Sequence, residues 1–435
     1  MPPSPKGGLL EHHMNIKVTP SQLNGKVCAP PSKSDVHRAI ICAALSGGAC
    51  EVAPVAMSDD IKATVGCIEA LGAKTSLNGD ILTVDGSKMF NNKTAVLDCF
   101  ESGSTLRFFI PIAAAGGVKT TFTGRGRLPE RPLDVYLDCL PEAGIKCKAE
   151  NNLPLTISGK LQSGIFNIAG NVSSQFITGL LFALPLVHGD SKIVLTTELQ
   201  SEGYVDMTIR CMERFDVFVE RTDYGYFIKG SQSYKPQNYR TDGDWSQAAF
   251  FMTAGALSGN VTVEGLRLTS AQGDMEVIEI LESFGADIIV ENGSVTVKKS
   301  KLKATEIDAS QIPDLVPILA VAASTAKGKT RIYNAERLRA KESDRLQSTA
   351  DMINALGGKA EIVADELHIE GVRELRGGTV NGCNDHRIVM AASVAALKCK
   401  NEVTITDRES INKSFPNYFE EYEKLGGKTD VNLRK

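Results

Sequence analysis

The sequence lacks the features that mark several large classes of protein. No apolar run reaches 18 residues, so a transmembrane helix is not expected. The ten cysteines form no CxxC pair and no tight cluster with the six histidines, so neither a disulfide framework nor a metal site is indicated. The net charge of -4 is small, and nothing global indicates nucleic acid or an anionic membrane as a partner. Local concentrations of cations are therefore informative.

The composition is that of an ordinary globular protein, with 42% hydrophobic and 23% charged residues. A length of 435 residues favours two domains. Thiols scattered through apolar helices fit a reducing cytoplasm, as at Cys42 and Cys211. Residues 1–13 contain no apolar segment, so they are not a signal peptide. We expect them to be an added leader ahead of a natural start at Met14.

A unit of about 70 residues recurs six times. Its marker positions, 69 to 72 residues apart, are Gly72, Gly144, Asp216, Gly285, Gly357 and Gly426. Each marker follows an amphipathic stretch, and glycine there is typical of a helix end. A strand, a turn and a second strand follow, with hairpin turns such as Asn78-Gly79, Asn151-Asn152, Asp223-Tyr224-Gly225 and Asn292-Gly293. Each unit therefore has an outer helix followed by a hairpin.

A second column of polar residues opens a helix that is apolar nearly all round. Its members are Ser34, Ser104, Ser173, Asp244, Asp314 and Asp385. A helix without a polar face is a buried helix. We therefore predict an α/β fold of two domains, each with three repeats, whose buried helices are covered by sheets. The first three members of this column are serines and the last three are aspartates, which places the domain boundary near residue 242. The polar stretch SQSYKPQNYRTDG at that point fits a crossing between the domains.

Most of these buried helices carry cations or hydroxyl groups near their first turn. A helix start offers free N–H groups and a partial positive charge, which suit an anion. Each set alone is most simply a helix cap. Cations on apolar helices are costly to bury unpaired, so the sets together predict one shared anion site. The sets are Lys33, Ser34 and Arg38; Ser102, Gly103, Ser104, Thr105 and Arg107; Ser173, Ser174 and Gln175; and Asn384, Asp385, His386 and Arg387.

The outer helices add further polar residues at their starts. These are Arg131 in the second unit, Ser201 and Tyr204 in the third, Lys341, Glu342 and Arg345 in the fifth, and Lys413 before the sixth. In the run KESDR, Lys341 and Arg345 are four apart and are expected to share one helical face, with Ser343 or Asp344 as the cap. Alone, this run is typical of a solvated first turn. With the other sets it predicts a cleft for a doubly anionic ligand.

Two carboxylates in these sets are candidates for acid–base chemistry. Asp314 and Glu342 would both lie among the cations that hold the substrate. A carboxylate among cations tends to stay ionised. A proton-donating role therefore needs local burial or the charge of the ligand.

The chain resembles the enolpyruvyl transferase family, and within it the EPSP synthases, from about Met14 to about Leu425. The resemblance is carried, in order, by PPSKSDVHRA, SGSTLR, ERPLD, SSQFITGLL, DGDWSQAAFF, IPDLVPILAVAA, RAKESDRL, NDHRIVMAA and NKSFPNYF. It implies a two-domain inside-out α/β barrel of βαββαβ units that closes on the substrates. The N-terminal domain would be 33–242, and the C-terminal domain would be 14–32 together with 243–435.

The resemblance implies transfer of the enolpyruvyl group of phosphoenolpyruvate to the 5-hydroxyl of shikimate 3-phosphate, by addition and elimination, without metal or organic cofactor. Shikimate 3-phosphate would meet Lys33, Ser34, Arg38, Ser173, Ser174, Gln175, Ser201, Tyr204, Asp314, Arg337 and Lys341. Phosphoenolpyruvate would meet Lys33, Gly103, Arg131, Gln175, Arg345, Arg387 and Lys413. Asp314 would accept the 5-hydroxyl proton and Glu342 would donate one to the methylene carbon, with Lys33 and His386 beside them.

Four positions depart from the family pattern. Glu101 stands where asparagine is usual near phosphoenolpyruvate, and would repel that ligand unless it pairs with a neighbouring arginine. Arg337 replaces an asparagine and could add a phosphate contact, and His37 also stands where asparagine is common. Ser102 replaces a frequent alanine, so inhibitor sensitivity is left open.

Two other functions stay open at this stage. The related transferase acting on UDP-N-acetylglucosamine has a loop cysteine as general acid, whereas GGVKTTFTGRGRLPERP has none. A non-catalytic anion-binding protein on the same scaffold would not need Asp314, Glu342 and Lys413. The resemblance favours a stand-alone cytoplasmic enzyme, monomeric because its site lies between domains of one chain, with small-molecule substrates and no nucleic acid or membrane partner.

Overall fold

The computed structural model describes residues 14–149 and 151–433, so the expected leader lies outside the described residues. Twelve α-helices occur in this part of the chain. They are α1 Lys33–Leu45, α2 Asp59–Ala70, α3 Gly103–Gly116, α4 Asp134–Glu142, α5 Ser174–Ala183, α6 Glu202–Arg214, α7 Trp245–Ser258, α8 Val277–Ser283, α9 Val316–Ser324, α10 Arg345–Ala355, α11 His386–Ala395 and α12 Tyr418–Lys424. None of these helices is long and apolar enough to cross a membrane.

Twenty-four strands form six sheets of four strands each within the described ranges. They are β1 Met14–Thr19, β2 Asn24–Cys28, β3 Ala49–Ala53, β4 Lys74–Asn78, β5 Ile81–Asp85, β6 Thr94–Asp98, β7 Lys119–Thr123, β8 Ile145–Ala149, β9 Leu155–Gly159, β10 Ile165–Ile168, β11 Ser191–Leu195, β12 Glu220–Thr222, β13 Gly225–Ile228, β14 Tyr239–Arg240, β15 Asn260–Glu264, β16 Asp287–Glu291, β17 Ser294–Lys298, β18 Glu306–Asp308, β19 Lys329–Tyr333, β20 Lys359–Val363, β21 Glu366–Glu370, β22 Gly378–Val380, β23 Val403–Ile405 and β24 Lys428–Leu433.

The sheets repeat one pattern, which confirms the predicted α/β class. In the second unit β6 and β7 pair in parallel and are connected through the buried helix α3, and the hairpin β8–β9 joins the sheet through antiparallel pairing of β9 with β7. The predicted hairpin turns lie between β4 and β5, β8 and β9, β12 and β13, and β16 and β17. All residues of α7, α9 and α11 are buried, as their largely apolar composition predicts, and in α11 this includes Arg387 in the first turn.

The helix starts differ by one or two residues from the predicted column. Ser32 and Ser102, rather than Ser34 and Ser104, are the N-cap residues of α1 and α3. Asp314 lies two residues before α9, whose N-cap is Leu315. Ser173, Asp244 and Asp385 do cap their helices through side-chain hydrogen bonds. A capping side chain acts only on the first free N–H groups, so several polar residues in sequence leave the exact start open.

Two hydrophobic cores organise the chain. One draws its buried side chains from residues 36–234, here called the first half. The other draws them from residues 16–27 and 245–425, here called the second half. The strands of the N-terminal segment belong to sheets of the second half, because β1 pairs with β23 and β24 and β2 pairs with β15.

Two segments cross between the halves side by side. One leads from β2 to α1, and the other leads from β14 to α7. Pro31 and Gly243 form an antiparallel bridge, flanked by hydrogen bonds of 2.8 Å from Ser32 N to Asp242 O and from Asp244 N to Pro30 O. Both crossings lead directly into buried helices, so the starts of α1 and α7 come to lie close to one another.

Candidate active site

A cavity of about 70 Å³ lies between the two halves. Every residue that the resemblance assigns to the substrates or to catalysis, except Lys413, lines it: Lys33, Ser34, Arg38, Gly103, Arg131, Ser173, Ser174, Gln175, Ser201, Tyr204, Asp314, Arg337, Lys341, Glu342, Arg345, His386 and Arg387. Other members of the sets at the helix starts do not line it, namely Ser102, Thr105, Arg107, Asn384 and Asp385. The volume is about that of two or three water molecules. The side chains of the two halves therefore leave little free space at this point between them.

Lys33 brings the two halves together at the start of α1. Its Nζ atom lies 2.7 Å from Asp60 Oδ2, and its main-chain N–H donates to Asp244 Oδ2 of the second half at 3.1 Å. Burial alone would lower the pKa of Lys33, but the charges of Asp60 and Glu342 raise it. The ammonium is therefore charged and held at the cavity wall.

Arg38 ties α1 to α6 from beneath the cavity. Its Nε donates to Thr208 Oγ1 at 2.8 Å, and its guanidinium also donates to the carbonyl oxygens of Ser34 at 2.6 Å and Tyr204 at 2.8 Å. Burial lowers its pKa. Because its donors are largely taken by the protein, Arg38 fixes the position of Tyr204 as well as adding charge.

The start of α3 accommodates an arginine guanidinium. A Cβ atom on Gly103 would lie 2.5 Å from Nη1 of Arg131, so only glycine leaves the guanidinium its place. Arg131 also reaches across the cleft, where its Nη1 lies 4.0 Å from Glu342 Oε1. Beside it, Gln175 is oriented by Arg107 at 2.7 Å and Ser104 at 2.9 Å. The first half thus presents fixed donors to the cavity.

Hydroxyl groups and Arg337 line the next part of the wall. Ser173 caps α5, and Ser174 and Ser201 are buried at the starts of α5 and α6. Arg337 comes from the second half and donates to Ser201 Oγ at 3.0 Å. Arg337 is therefore placed beside the predicted hydroxyl groups, where its cation faces the cavity.

Asp314 is surrounded by cations. Its Oδ1 accepts from Lys341 Nζ at 3.2 Å and Arg345 Nη1 at 2.8 Å, and its Oδ2 accepts from Arg387 Nη2 at 3.1 Å. Burial by itself would raise the pKa of Asp314, but Arg387, Lys341 and Arg345 hold it well below its ordinary value. Asp314 is therefore an ionised carboxylate that can accept a proton.

Arg345 connects three carboxylates. Its side chain is 1% exposed and binds Asp385 and Glu342 in addition to Asp314. Helix α10 begins at Arg345 and is capped by Asp344, whereas Lys341 precedes it in extended conformation. The prediction that Lys341 and Arg345 share one helical face is therefore wrong. They meet through Asp314, because the loop 341–344 turns Lys341 toward the same oxygen.

Glu342 is ionised and His386 is neutral in this arrangement. Burial would raise the pKa of Glu342, but Arg345 and Arg131 hold it well below its ordinary value. Burial lowers the pKa of His386 well below its ordinary value. Neither ring nitrogen of His386 has a hydrogen-bond partner within the described residues. An anion that neutralises the arginines would raise the pKa of Glu342.

The positions that depart from the family pattern have different surroundings. Glu101 Oε2 lies 2.9 Å from Lys413 Nζ, so its partner is a lysine of the other half rather than a neighbouring arginine. His37 is fully buried, with Nδ1 at 2.7 Å from Thr64 Oγ1. His37 is therefore a core residue of the first half and not part of the cavity wall.

Two acidic residues complete the site and were not predicted. Asp60 holds Lys33, and Asp274 accepts a 2.8 Å hydrogen bond from Tyr204 Oη, which also lies 3.3 Å from Asp314 Oδ2. Burial and the charge of Asp314 raise the pKa of Asp274 to about 7. Asp60 is in the first turn of α2 and Asp274 precedes α8. They occupy the starts of the first and fourth outer helices, the two units missing from the predicted column, so the repeat itself could have identified them.

The cavity can orient anions and exchange protons. Cations from both halves surround two ionised carboxylates, which suits a reaction of anionic substrates in which charge develops away from water. Within residues 14–149 and 151–433, no group of three or more His, Cys, Asp or Glu side chains could hold a metal ion.

Comparisons with known proteins agree with this geometry. The sequence profile of the EPSP synthase (3-phosphoshikimate 1-carboxyvinyltransferase) family matches residues 18–422. The 3-phosphoshikimate 1-carboxyvinyltransferase of Clostridium novyi is 47% identical over 427 residues, which cover 96% of this chain and 98% of that protein. The protein of the same name from Clostridioides difficile is 44% identical over 430 residues, covering 96% and 98% of the two chains.

Solved structures extend the likeness to the fold. EPSP synthase from Acinetobacter baumannii superimposes with a TM-score of 0.82 at 26% identity, over 97% of this chain and all of the other. The enolpyruvyl transferase NikO from Streptomyces tendae shares the fold with a TM-score of 0.78 at 17% identity, over 98% of this chain. The two-domain α/β arrangement with buried helices is that of these neighbours. The chain therefore belongs to the EPSP synthase family.

Proposed function

We propose that the chain transfers the enolpyruvyl group of phosphoenolpyruvate to the 5-hydroxyl of shikimate 3-phosphate and releases phosphate. This is a step of the shikimate pathway, which leads to chorismate and the aromatic amino acids. The observation that carries the proposal is that Asp314 and Glu342 are bound by the same Arg345 inside a cavity lined with cations from both halves. The printed names of the relatives at 44% and 47% identity support the same reaction.

Shikimate 3-phosphate binds where hydroxyl groups and cations of both halves meet. Its phosphate accepts hydrogen bonds from side chains that bind one another in the present structure, among them Ser201 and Arg337. Lys341 replaces its contact with Asp314 by one to the substrate. The full set proposed for this substrate is Lys33, Ser34, Arg38, Ser173, Ser174, Gln175, Ser201, Tyr204, Asp314, Arg337 and Lys341.

Phosphoenolpyruvate binds on the side of Glu342. Its phosphate and carboxylate need several cations, and Arg131 and Arg345 already lie on either side of the Glu342 carboxylate. Gly103 leaves the space that Arg131 uses. The full set proposed for this substrate is Lys33, Gly103, Arg131, Gln175, Arg345, Arg387 and Lys413.

The two carboxylates divide the proton transfers. Asp314 takes the proton of the 5-hydroxyl while that oxygen bonds to C2 of phosphoenolpyruvate, and Glu342 delivers a proton to C3 to complete the tetrahedral intermediate. Elimination then returns a proton from C3 to the Glu342 carboxylate as the C2–O bond to phosphate breaks, and the leaving phosphate takes the electron pair of that bond and the proton that Asp314 accepted. The anionic substrates neutralise Arg131 and Arg345, which raises the pKa of Glu342 so that it is able to donate. Lys33 and the neutral His386 flank Glu342 and stabilise charge.

We further propose two domains that follow the two cores, with 33–242 as the first domain and 14–32 together with 243–435 as the second. The enzyme acts as a monomer, because both walls of the cavity come from one chain. All ten cysteines are free, which supports a reducing cytoplasm.

Release of inorganic phosphate tests the proposal. We expect release when the protein is mixed with phosphoenolpyruvate and shikimate 3-phosphate together, and none with either substrate alone. UDP-N-acetylglucosamine in place of shikimate 3-phosphate is the control acceptor. Release with that acceptor, or no release with shikimate 3-phosphate, would show that the proposal is wrong.

A further inference from the structure

Glu101 and Lys413 join the two halves outside the cavity. Glu101 lies between β6 and α3 of the first half, and Lys413 ends the 3-10 turn Arg408–Lys413 of the second half. Glu101 Oε2 and Lys413 Nζ are 2.9 Å apart, with side chains 22% and 9% exposed. A second ion pair between the halves, that of Arg131 and Glu342, is longer at 4.0 Å.

Asn384 completes a site for the Glu101 carboxylate. Its Nδ2 atom lies 3.2 Å and 3.1 Å from the two carboxylate oxygens of Glu101, and its main-chain oxygen accepts from Lys413 Nζ at 2.6 Å. Asn384 adopts φ 49, in the left-handed region. Its side chain binds Glu101, and its main-chain oxygen binds Lys413. The second half therefore offers both a cation and an amide to a carboxylate from the first half.

The first half leaves room for that carboxylate. Gly126 has φ 58, and a Cβ atom there would lie 2.4 Å from Glu101 Oε2. A side chain at position 126 would therefore collide with Glu101 as it is placed here. The space beside Gly126, the amide of Asn384 and the ammonium of Lys413 therefore all favour this position of the Glu101 carboxylate.

Lys413 is the one predicted binding residue that does not line the cavity formed by the described residues. Glu101 and the Asn384 carbonyl already hold its ammonium. These two contacts take two of its three N–H donors, so an anion that binds Lys413 either shares the ammonium with the Glu101 carboxylate or displaces it. We propose that Glu101 is an internal counter-ion that holds the two halves together through Lys413 and competes with phosphoenolpyruvate for that ammonium. The identity of the competing anion rests on the proposed function. Glu101 is thus a positioning residue that sets anion affinity.

The Glu101→Gln variant keeps the shape of the side chain and removes its charge. We expect its KM for phosphoenolpyruvate to fall about three- to tenfold, the effect of removing one partly exposed competing charge, while the KM for shikimate 3-phosphate stays within about twofold. Glu101→Asp keeps the charge on a shorter side chain. We expect its KM for phosphoenolpyruvate to lie between those of the parent protein and Glu101→Gln. The matched control is Glu130→Gln, which removes a carboxylate that is 68% exposed and is expected to leave both KM values unchanged. An unchanged or higher KM for phosphoenolpyruvate in Glu101→Gln would overturn the proposal.

Small-angle X-ray scattering of the proteins without substrates provides a readout that does not depend on the reaction. We expect a larger radius of gyration for Glu101→Gln than for the parent protein and Glu130→Gln, because one link between the halves is lost. Equal radii would overturn the role of Glu101 in holding the halves together. If the parent protein releases no phosphate from its two substrates, the proposed function fails, and scattering alone decides whether Glu101 links the halves.

Discussion

The guanidinium of Arg345 donates a hydrogen bond of 2.8 Å to Asp314 Oδ1, although the two residues are 31 positions apart in the chain. The same group also binds Glu342 and Asp385. One planar side chain thereby sets the spacing between the two carboxylates that we propose as base and acid. Arg345 is 1% exposed, so these contacts are made away from water.

The shape of Arg345, as well as its charge, is expected to matter. We predict that Arg345→Lys lowers kcat/KM by at least about a hundredfold, because an ammonium cannot bind several carboxylates in one plane. Steady-state phosphate release measures the effect. Arg339→Lys is the matched control, since Arg339 is 39% exposed and pairs with Asp344 and Asp365. Near-normal activity of Arg345→Lys would contradict this account.

Asp314 and Glu342 are expected to act on turnover rather than on binding. In Asp314→Asn and Glu342→Gln we predict that kcat falls about 10²- to 10⁴-fold, the usual contribution of a positioned acid or base. Both KM values should not rise, because removing a negative charge from among cations does not weaken anion binding. The control is Glu336→Gln, an exposed carboxylate in the preceding 3-10 turn. If either site variant keeps normal kcat, its proposed role is wrong.

Lys341 is expected to limit the reaction at alkaline pH. Burial lowers its pKa to about 8, even though Asp314 lies beside it. As pH rises through 8 the free enzyme loses this cation, so kcat/KM for shikimate 3-phosphate should fall about tenfold per pH unit above that point. Arginine stays charged, so Lys341→Arg should move this fall to higher pH. If kcat/KM falls at the same alkaline pH in Lys341→Arg as in the control Lys359→Arg, the titrating group is not Lys341.

Asp35 is expected to make stability depend on pH at the crossing between the halves. It accepts from Tyr239 Oη at 2.8 Å and from Asp242 N at 2.9 Å, and burial raises its pKa to about 6, opposed by those hydrogen bonds and by Arg38. A raised pKa means that the folded protein binds the proton more tightly. This contribution is present below pH 4 and is lost as pH rises through 6.

Comparison with Asp35→Asn isolates that contribution. The shift corresponds to about 3 kcal/mol, so the free energy of unfolding of the parent protein relative to Asp35→Asn should fall by up to about that amount between pH 4 and pH 7. Urea unfolding at several pH values measures it. Asp314 and Glu342, whose pKa values are lowered, change the free energy of unfolding with pH in the opposite direction. Both proteins contain these residues, so their effect cancels when the parent protein is compared with Asp35→Asn. A difference that does not change with pH would rule out titration of Asp35.

Much of the architecture could be predicted from periodicity. The markers Gly72 and Gly285 do follow outer helices, and the predicted turns do join hairpins. These features depend on neighbours within a few residues, where helix ends and turns have residue requirements of their own. The boundaries were less accurate, as at Ser34 and Asp314, because adjacent polar residues compete for the same free N–H groups.

The sequence by itself determined the repeat, the buried helices and the clustering of cations at their starts. Only the tertiary structure decided which charges pair: Lys33 with Asp60, Tyr204 with Asp274, and Glu101 with Lys413. It also decided that Lys341 and Arg345 meet at Asp314 instead of along a helix. The physical reason is that local patterns set helices and turns, whereas partners 27 to 312 positions apart meet only through tertiary packing, within one half for Lys33 and Asp60 and between the halves for Glu101 and Lys413.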